Sequence, residues 1–114
     1  MESTRQQRIA RLLQKELSEI FLLEAKKVMP GVLISVSEVR VSPDLGIAKA
    51  YLSIFPTNVS EQVMKFVEEK NRYFRHELAA RVRHQLRKIP ELTFFADESL
   101  DYLENIDKLL NSAG

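Results

Sequence analysis

Six of the seventeen residues in RYFRHELAARVRHQLRK, positions 72–88, are Arg or Lys, and Glu77 is the single acid. Side chains of this kind do one sort of chemistry well. A guanidinium presents a rigid fork of N–H donors that matches the oxygens of a phosphate or a carboxylate. The stretch carries +5, whereas the rest of the chain, with eleven bases and fifteen acids, carries −4. Charge is therefore sorted along a chain whose net charge is only +1. On a helical wheel Arg72, His76, Arg83 and Arg87 fall in one narrow stripe, Arg75 flanks it, and Ala79 and Ala80 fill its middle. Arg83 and Arg87, at i and i+4, repel each other by roughly a few tenths of a kcal/mol in an isolated helix. The arrangement makes sense with an anion lying along it, and the small alanines would let a phosphate backbone come close. Ala is also simply the best helix former.

Three readings of this stretch stand side by side. It can hold a nucleic-acid backbone, bind an acidic protein, or be neutralised within the chain, since residues 91–107 hold six acids and no base. The start of the chain favours the first. Arg5, Arg8 and Arg11 stand near the beginning of a helical pattern, ahead of Glu16, Glu19 and Glu24. Cations at that end oppose the helix dipole, which again invites an external anion.

Catalytic chemistry is not in view. His76 and His84, the two histidines, sit eight apart with Glu77 as their nearest carboxylate, which is not a metal-ligand spacing. There is no cysteine, no G-x-G-x-x-G and no Walker sequence. Ser42 and Asp44 lie in "SPDLG" with no base placed to activate the hydroxyl. A non-catalytic protein is expected, with no cofactor, no metal and no small-molecule substrate. No apolar run nears the roughly 20 residues of a membrane span, and Met1-Glu2-Ser3-Thr4 is not followed by a signal-peptide core. Cytoplasm is the expected compartment.

The elements that must position these cations follow from periodicity. The length of 114 residues suits one domain, 1–114. Residues 4–28 repeat Ile9, Leu12, Leu13, Leu17, Ile20 and Phe21 at helical spacing, with Ser3/Gln6 or Thr4/Gln7 as a capping box and Pro30-Gly31 as the stop. Residues 32–41 read as a strand whose buried parity changes between Val36 and Val39. That change predicts a β-bulge near Ser37-Glu38. "SPDLG" turns the chain, with Gly46 supplying positive φ, into a second strand over 47–55 and hence a hairpin. Asn58 is a candidate N-cap, with Glu61 three residues on. A helical pattern then runs from 59 to 88, its stripe of Val59, Val63, Val67, Phe74, Leu78 and Val82 interrupted by Asn71. That interruption predicts two helices meeting near Lys70-Asn71-Arg72. Residues 92–96 form a third strand, and 97–110 an acidic amphipathic helix within a C-terminal segment, 98–114. The order is α-β-β-α-α-β-α, an α+β domain with a three-stranded sheet packed on helices, in which Phe74, Leu78, Val82 and Phe94 belong to the core.

The motifs "ISVSEVRVSPDLGIAKAYLSIF" and "FRHELAARVRHQLRKIPELTFFADES", with "RIARLLQKELSEIF" before them and "IDKLL" after, resemble the bacterial ribosome-binding factor A family over about residues 5–110. The resemblance implies a type II KH-like domain. KH modules hold single-stranded nucleic acid at an interhelical loop, and in this family that loop is a kink, typically Ala-x-Gly. Lys70, Asn71 and Arg72 stand at the matching positions, so this chain lacks the kink glycine and carries two cations there. The resemblance further implies a monomeric assembly factor that binds the small (30S) ribosomal subunit. It would assist late maturation of 16S rRNA, notably at its 5′ end, with a link to growth in the cold. The partners implied are the small subunit and its rRNA, with no membrane. The expected RNA contacts are Arg72, Arg75, Arg83 and Arg87, then Lys70 and Asn71, then Arg5, Arg8, Arg11 and His76. Relatives often carry a longer C-terminal extension. The sequence ends at Gly114, so a function residing in such an extension is not expected. A generic nucleic-acid-binding module or a protein-interaction domain outside the ribosome is the alternative.

Overall fold

The structure, a computed structural model, describes residues 2–97. The expected acidic helix over 97–110 lies outside them apart from Asp97. The described elements are α1 (Thr4–Val28), β1 (Leu33–Val41), β2 (Ile47–Phe55), α2 (Ser60–Glu69), α3 (Asn71–Val82) and β3 (Glu91–Ala96), with a 3₁₀ turn at Thr57–Val59. The sheet order is β1-β2-β3, with β1 antiparallel and β3 parallel to β2. All three helices supply buried side chains to the inner face of this sheet, giving the expected α+β two-layer domain.

α1 begins where its sequence says. The Ser3 hydroxyl accepts from the Gln6 N–H at 3.1 Å, and the Gln6 side-chain oxygen accepts from the Ser3 N–H at 2.8 Å. The capping box is thus Ser3/Gln6, and two of the helix's unpaired donors are satisfied. Gln6 also donates through Nε2 to the Val41 carbonyl at 2.9 Å, and Gln14 donates to the carbonyls of Val36 and Ser37. Polar side chains of α1 thereby cover part of β1, an edge strand whose bare carbonyls would otherwise seek another chain.

The bulge falls where the change of parity requires it. Pairing passes from Val36↔Leu52 to Glu38↔Tyr51, skipping Ser37. Ile34 and Val36 before it, and Val39 and Val41 after it, are all buried. The hairpin turn differs in one detail. Its positive φ belongs to Leu45, at 62°, not to Gly46. Asp44 Oδ1 instead accepts from the Ser42 hydroxyl at 2.6 Å and from the Gly46 N–H at 3.0 Å. A Cβ on residue 46 would stand 3.3 Å from that carboxylate, so close approach is what favours glycine there.

Two expectations about the helices after β2 need correction. Asn58 does not cap α2: it lies inside the 3₁₀ turn, and Val59 precedes Ser60 with no side-chain cap. The long helical pattern divides at Lys70, as the interrupted stripe predicts, but α3 ends at Val82 rather than continuing to 88. The N–H groups of Gln85 and Leu86 both bond to the Val82 carbonyl, which turns the chain back. The cause is tertiary. Pro90 is fully buried and Glu91 bonds to the Gly46 carbonyl, so the chain must return to the sheet within a few residues. Proline also biases the residue before it toward extended backbone.

Three aromatic rings lock the two layers together. Phe21 of α1 lies 4.5 Å from Phe74 of α3 and meets Phe94 of β3 edge-on at 5.5 Å. Phe74, Leu78 and Val82 are fully buried and Phe94 nearly so, as expected for core positions.

Candidate nucleic-acid interface

The inward row of Phe74, Leu78 and Val82 fixes the rotation of α3, and the cations follow from it. Arg72, Arg75, His76 and Ala79 face outward along one side of the helix. The turn after Val82 brings Arg87, Lys88 and Ile89 back beside them. These seven residues line one surface depression, and among the described residues no acid lines it. A second depression continues past Arg87 and Lys88 to Arg5 and Ile9 of α1 and to Asp44 of the hairpin turn. Arg5, Arg72, Arg75, His76 and Arg87 are therefore brought onto one continuous surface.

Sequence reasoning reached Arg87 by a route that does not hold. Residues 83–88 are not helical, so Arg83 and Arg87 do not stack as helical i, i+4 neighbours. Arg87 joins the cluster through the turn. Arg83, at the end of α3, is exposed and lines neither depression. Arg8 and Arg11 are exposed on α1 and likewise line neither. Lys88, absent from the expected contacts, lines both.

Arg75 is positioned rather than loose. Its guanidinium donates to the Ile89 carbonyl at 3.0 Å and to the Pro90 carbonyl at 3.5 Å. It therefore ties the return segment to α3 while keeping its charge on the surface. Asn71 has a similar task. Its Nδ2 donates to the Leu92 carbonyl at 2.9 Å, which fastens the kink to β3.

The kink itself is a single residue. Lys70 adopts φ −101° and ψ 19°, between the main allowed regions, and no glycine is needed there. Its ammonium lies 5.8 Å from the Phe66 ring and 5.7 Å from the Tyr73 ring, where both π-faces attract it. Tyr73 in turn donates its hydroxyl to the buried Glu24 of α1 at 3.1 Å. Partial burial first, and then this carboxylate, raise the phenol's pKa above its ordinary value.

One cation of the stretch is neutralised internally. Arg81 donates to Glu16 at 3.2 Å and to Glu19 at 2.7 Å across the α1–α3 contact. Desolvation works against its charge, but the hydrogen bonds and field of the two carboxylates outweigh it and hold the guanidinium's pKa above its usual value. The available sequence signal was its place on the wheel, beside Phe74 and opposite Arg72. Arg81 is thus neutralised by acids of α1, not by the segment 91–107 that the sequence put forward. Among the described residues, no acid lines the depression formed by Arg72, Arg75, His76, Arg87 and Lys88. No group of three or more metal-ligating side chains is present among the described residues, and no described helix is long and apolar enough to cross a membrane.

Fold and surface together define a small α+β domain of KH-like topology with an interhelical kink and a cationic flank. The family described as ribosome-binding factor A matches residues 5–110, and the chain belongs to that family. It is 50% identical over 110 residues to ribosome-binding factor A of Christiangramia forsetii, covering 94% of this chain and 82% of that protein. It is 42% identical over 111 residues to the Flavobacterium psychrophilum protein of the same name, covering 96% and 85%. Among solved structures, the crystal structure of ribosome-binding factor A from Thermus thermophilus superposes with a TM-score of 0.64 at 26% identity, covering 80% of this chain and 94% of that one. A homology model of the Thermus thermophilus factor, fitted into the cryo-EM map of its complex with the 30S subunit, superposes with a TM-score of 0.65 at 25% identity, covering 78% of this chain and 91% of that one.

Proposed function

We propose that this protein is a non-catalytic assembly factor that binds the small ribosomal subunit through its cationic flank. The observation that carries the reading is the acid-free depression of Arg72, Arg75, His76, Arg87 and Lys88. Like charges gathered on one surface repel one another, offset in part by Asp44 near Lys88, and a phosphate backbone relieves that repulsion while releasing counterions. Family membership and the relative fitted into a 30S complex support the choice of the small subunit as the carrier of those phosphates. The contacts are to backbone, so they position the protein on the rRNA rather than read its sequence. Arg72, Arg75, Arg87 and Lys88 supply most of the attraction. Arg5 extends it, and Lys70 adds charge at the kink. Asn71 acts by fixing the kink to β3. In this reading the protein acts in the cytoplasm as a monomer, and holding the rRNA lets late folding and 5′ maturation of 16S rRNA proceed, a step that matters most in the cold.

Co-sedimentation with isolated small subunits across a salt series tests the proposal, with bulk RNA as competitor. Saturable binding that falls with salt is expected. Arg72→Ala/Arg87→Ala is expected to bind more weakly, with the logarithmic salt slope reduced by about one per lost contact. A folded double variant that sediments identically would remove the cationic flank from the binding surface.

A further inference from the structure

The helices cover one face of the sheet and leave the other open, and we propose that this open face is a second nucleic-acid surface that stacks unpaired RNA bases on Tyr51 and Phe95. Four of the molecule's exposed large apolar residues lie on it: Leu33 at 53% exposure, Ile47 at 46%, Phe55 at 52% and Phe95 at 39%. Strand pairing orders the face into rows. Tyr51 pairs with Phe95, and their rings stack at 5.4 Å with planes 25° apart, forming one aromatic platform. One row along, Arg40, Lys49 and Thr93 stand side by side. On the platform's other side the row is Ser35 and Ser53. Arg40, Lys49 and Tyr51, with Ile47, line a shallow groove.

The alternation of rows decides what kind of partner fits. Rows on one face of a sheet are about 7 Å apart. A protein partner binding by apolar burial needs continuous apolar area, and here cationic and hydroxyl rows break it up. A single nucleic-acid strand presents the complementary alternation: flat bases for the platform, a phosphate for Lys49, and base edges for the hydroxyls of Ser53 and Thr93. Sheet-borne aromatics flanked by cations are a general solution for holding unstacked bases. The acids on the face have partners of their own. Glu38 stands beside Tyr51 in the platform row and is paired with Arg40 at 3.0 Å, Asp97 accepts a hydrogen bond from the Ser37 hydroxyl, and Glu91 lies beside Ile47, two rows from the platform. Because Glu38 holds Arg40, this surface binds through stacking more than through charge. It does not depend on the helix-side reading above.

Fluorescence anisotropy of the full chain with labelled single-stranded oligoadenylate and oligouridylate of about ten nucleotides tests this. Oligoadenylate, the better stacker, is expected to bind more tightly. Tyr51→Leu/Phe95→Leu, which keeps apolar bulk and removes the rings, is expected to weaken oligoadenylate binding about tenfold or more, the worth of one or two lost stacks, with little change in salt slope. Arg72→Ala/Arg87→Ala is expected to flatten the salt slope and keep the preference for adenylate. The chain has no tryptophan, so Tyr51→Trp places a sole indole on the platform, and its fluorescence is expected to be quenched by oligoadenylate. That variant serves if the double leucine variant does not fold. A folded double leucine variant that keeps full affinity, or an indole unquenched at saturation, overturns the proposal. Wild-type protein that binds no oligonucleotide also overturns it and leaves the face to a protein partner.

Discussion

Arg81 and Arg87 belong to one basic stretch and have opposite tasks. The Arg81 side chain is 29% exposed between Glu16 and Glu19, while Arg87 faces solvent with other cations. Arg81→Met is therefore expected to lower stability by about 1 kcal/mol, the scale of a partly exposed ion-pair network, in urea denaturation. Its salt dependence of subunit binding should match wild type. Loss of binding without loss of stability would place Arg81 on the interface instead. Asp44 offers a test of a different kind. Hydrogen bonds first from the Ser42 hydroxyl and then from the Gly46 N–H depress its folded pKa below the ordinary 3.8. A depressed carboxylate stabilises the fold above the unfolded pKa, and that contribution is lost as pH falls through the folded pKa. Wild type should be more stable than Asp44→Asn at neutral pH, and the gap should narrow below about pH 4. A gap that stays constant down to about pH 2.5 would mean that the charge of Asp44 contributes nothing to the turn.

Elements were legible in the sequence wherever local chemistry and tertiary packing agreed. α1 begins and ends at its signals, Ser3/Gln6 and Pro30-Gly31. The bulge could be read from the change of buried parity between Val36 and Val39, because packing Val39 and Val41 on the same face as Ile34 and Val36 requires one extra residue. The end of α3 was not legible. No glycine or proline marks Val82, and every residue from 83 to 88 tolerates a helix. What ends it is the burial of Pro90 and the start of β3, contacts with distant parts of the chain. The same gap misplaced Arg83 and hid Lys88, since both lie where the helical wheel no longer applies. Asn71 was read as a break and proves to be a fastener, through its bond to Leu92. The bulge gives this scale its prediction. Deleting Ser37 removes the extra residue and restores plain alternation with Val39 and Val41 still inward, whereas inserting one further residue after Ser37 turns both toward solvent, and exposing two valines costs about 3 kcal/mol or more. Thermal denaturation should show cooperative unfolding for the deletion variant and a sharp loss of Tm for the insertion variant. A wild-type Tm for the insertion variant would mean that the register is set elsewhere.

At the scale of the molecule, the sorted charge of the chain becomes a sorted surface. Folding hands Arg81 to the carboxylates of α1, ties Arg75 to the return segment, and gathers the remaining cations of the stretch, except Arg83, on the flank between α3 and that segment. The segment is held by Arg75 on the Ile89 and Pro90 carbonyls and by the buried Pro90 ring. Which cations lie together is therefore decided by the turn after Val82 and not by position along a helix. The two possibilities make different forecasts for a pair of single variants. If one helix ran to residue 88, Arg83→Ala and Arg87→Ala would be neighbours on one stripe and would weaken subunit binding alike. With the turn, Arg87→Ala removes a member of the acid-free depression, while Arg83→Ala removes an isolated surface charge. Co-sedimentation at two or more salt concentrations should show Arg87→Ala reducing the salt slope by about one, with Arg83→Ala much closer to wild type. Combining Arg83→Ala with Arg72→Ala should then be additive, because charges with no shared partner act independently. Equal effects of the two single variants would mean that the bound RNA follows the axis of α3 beyond Val82, and that the turn does not define the interface.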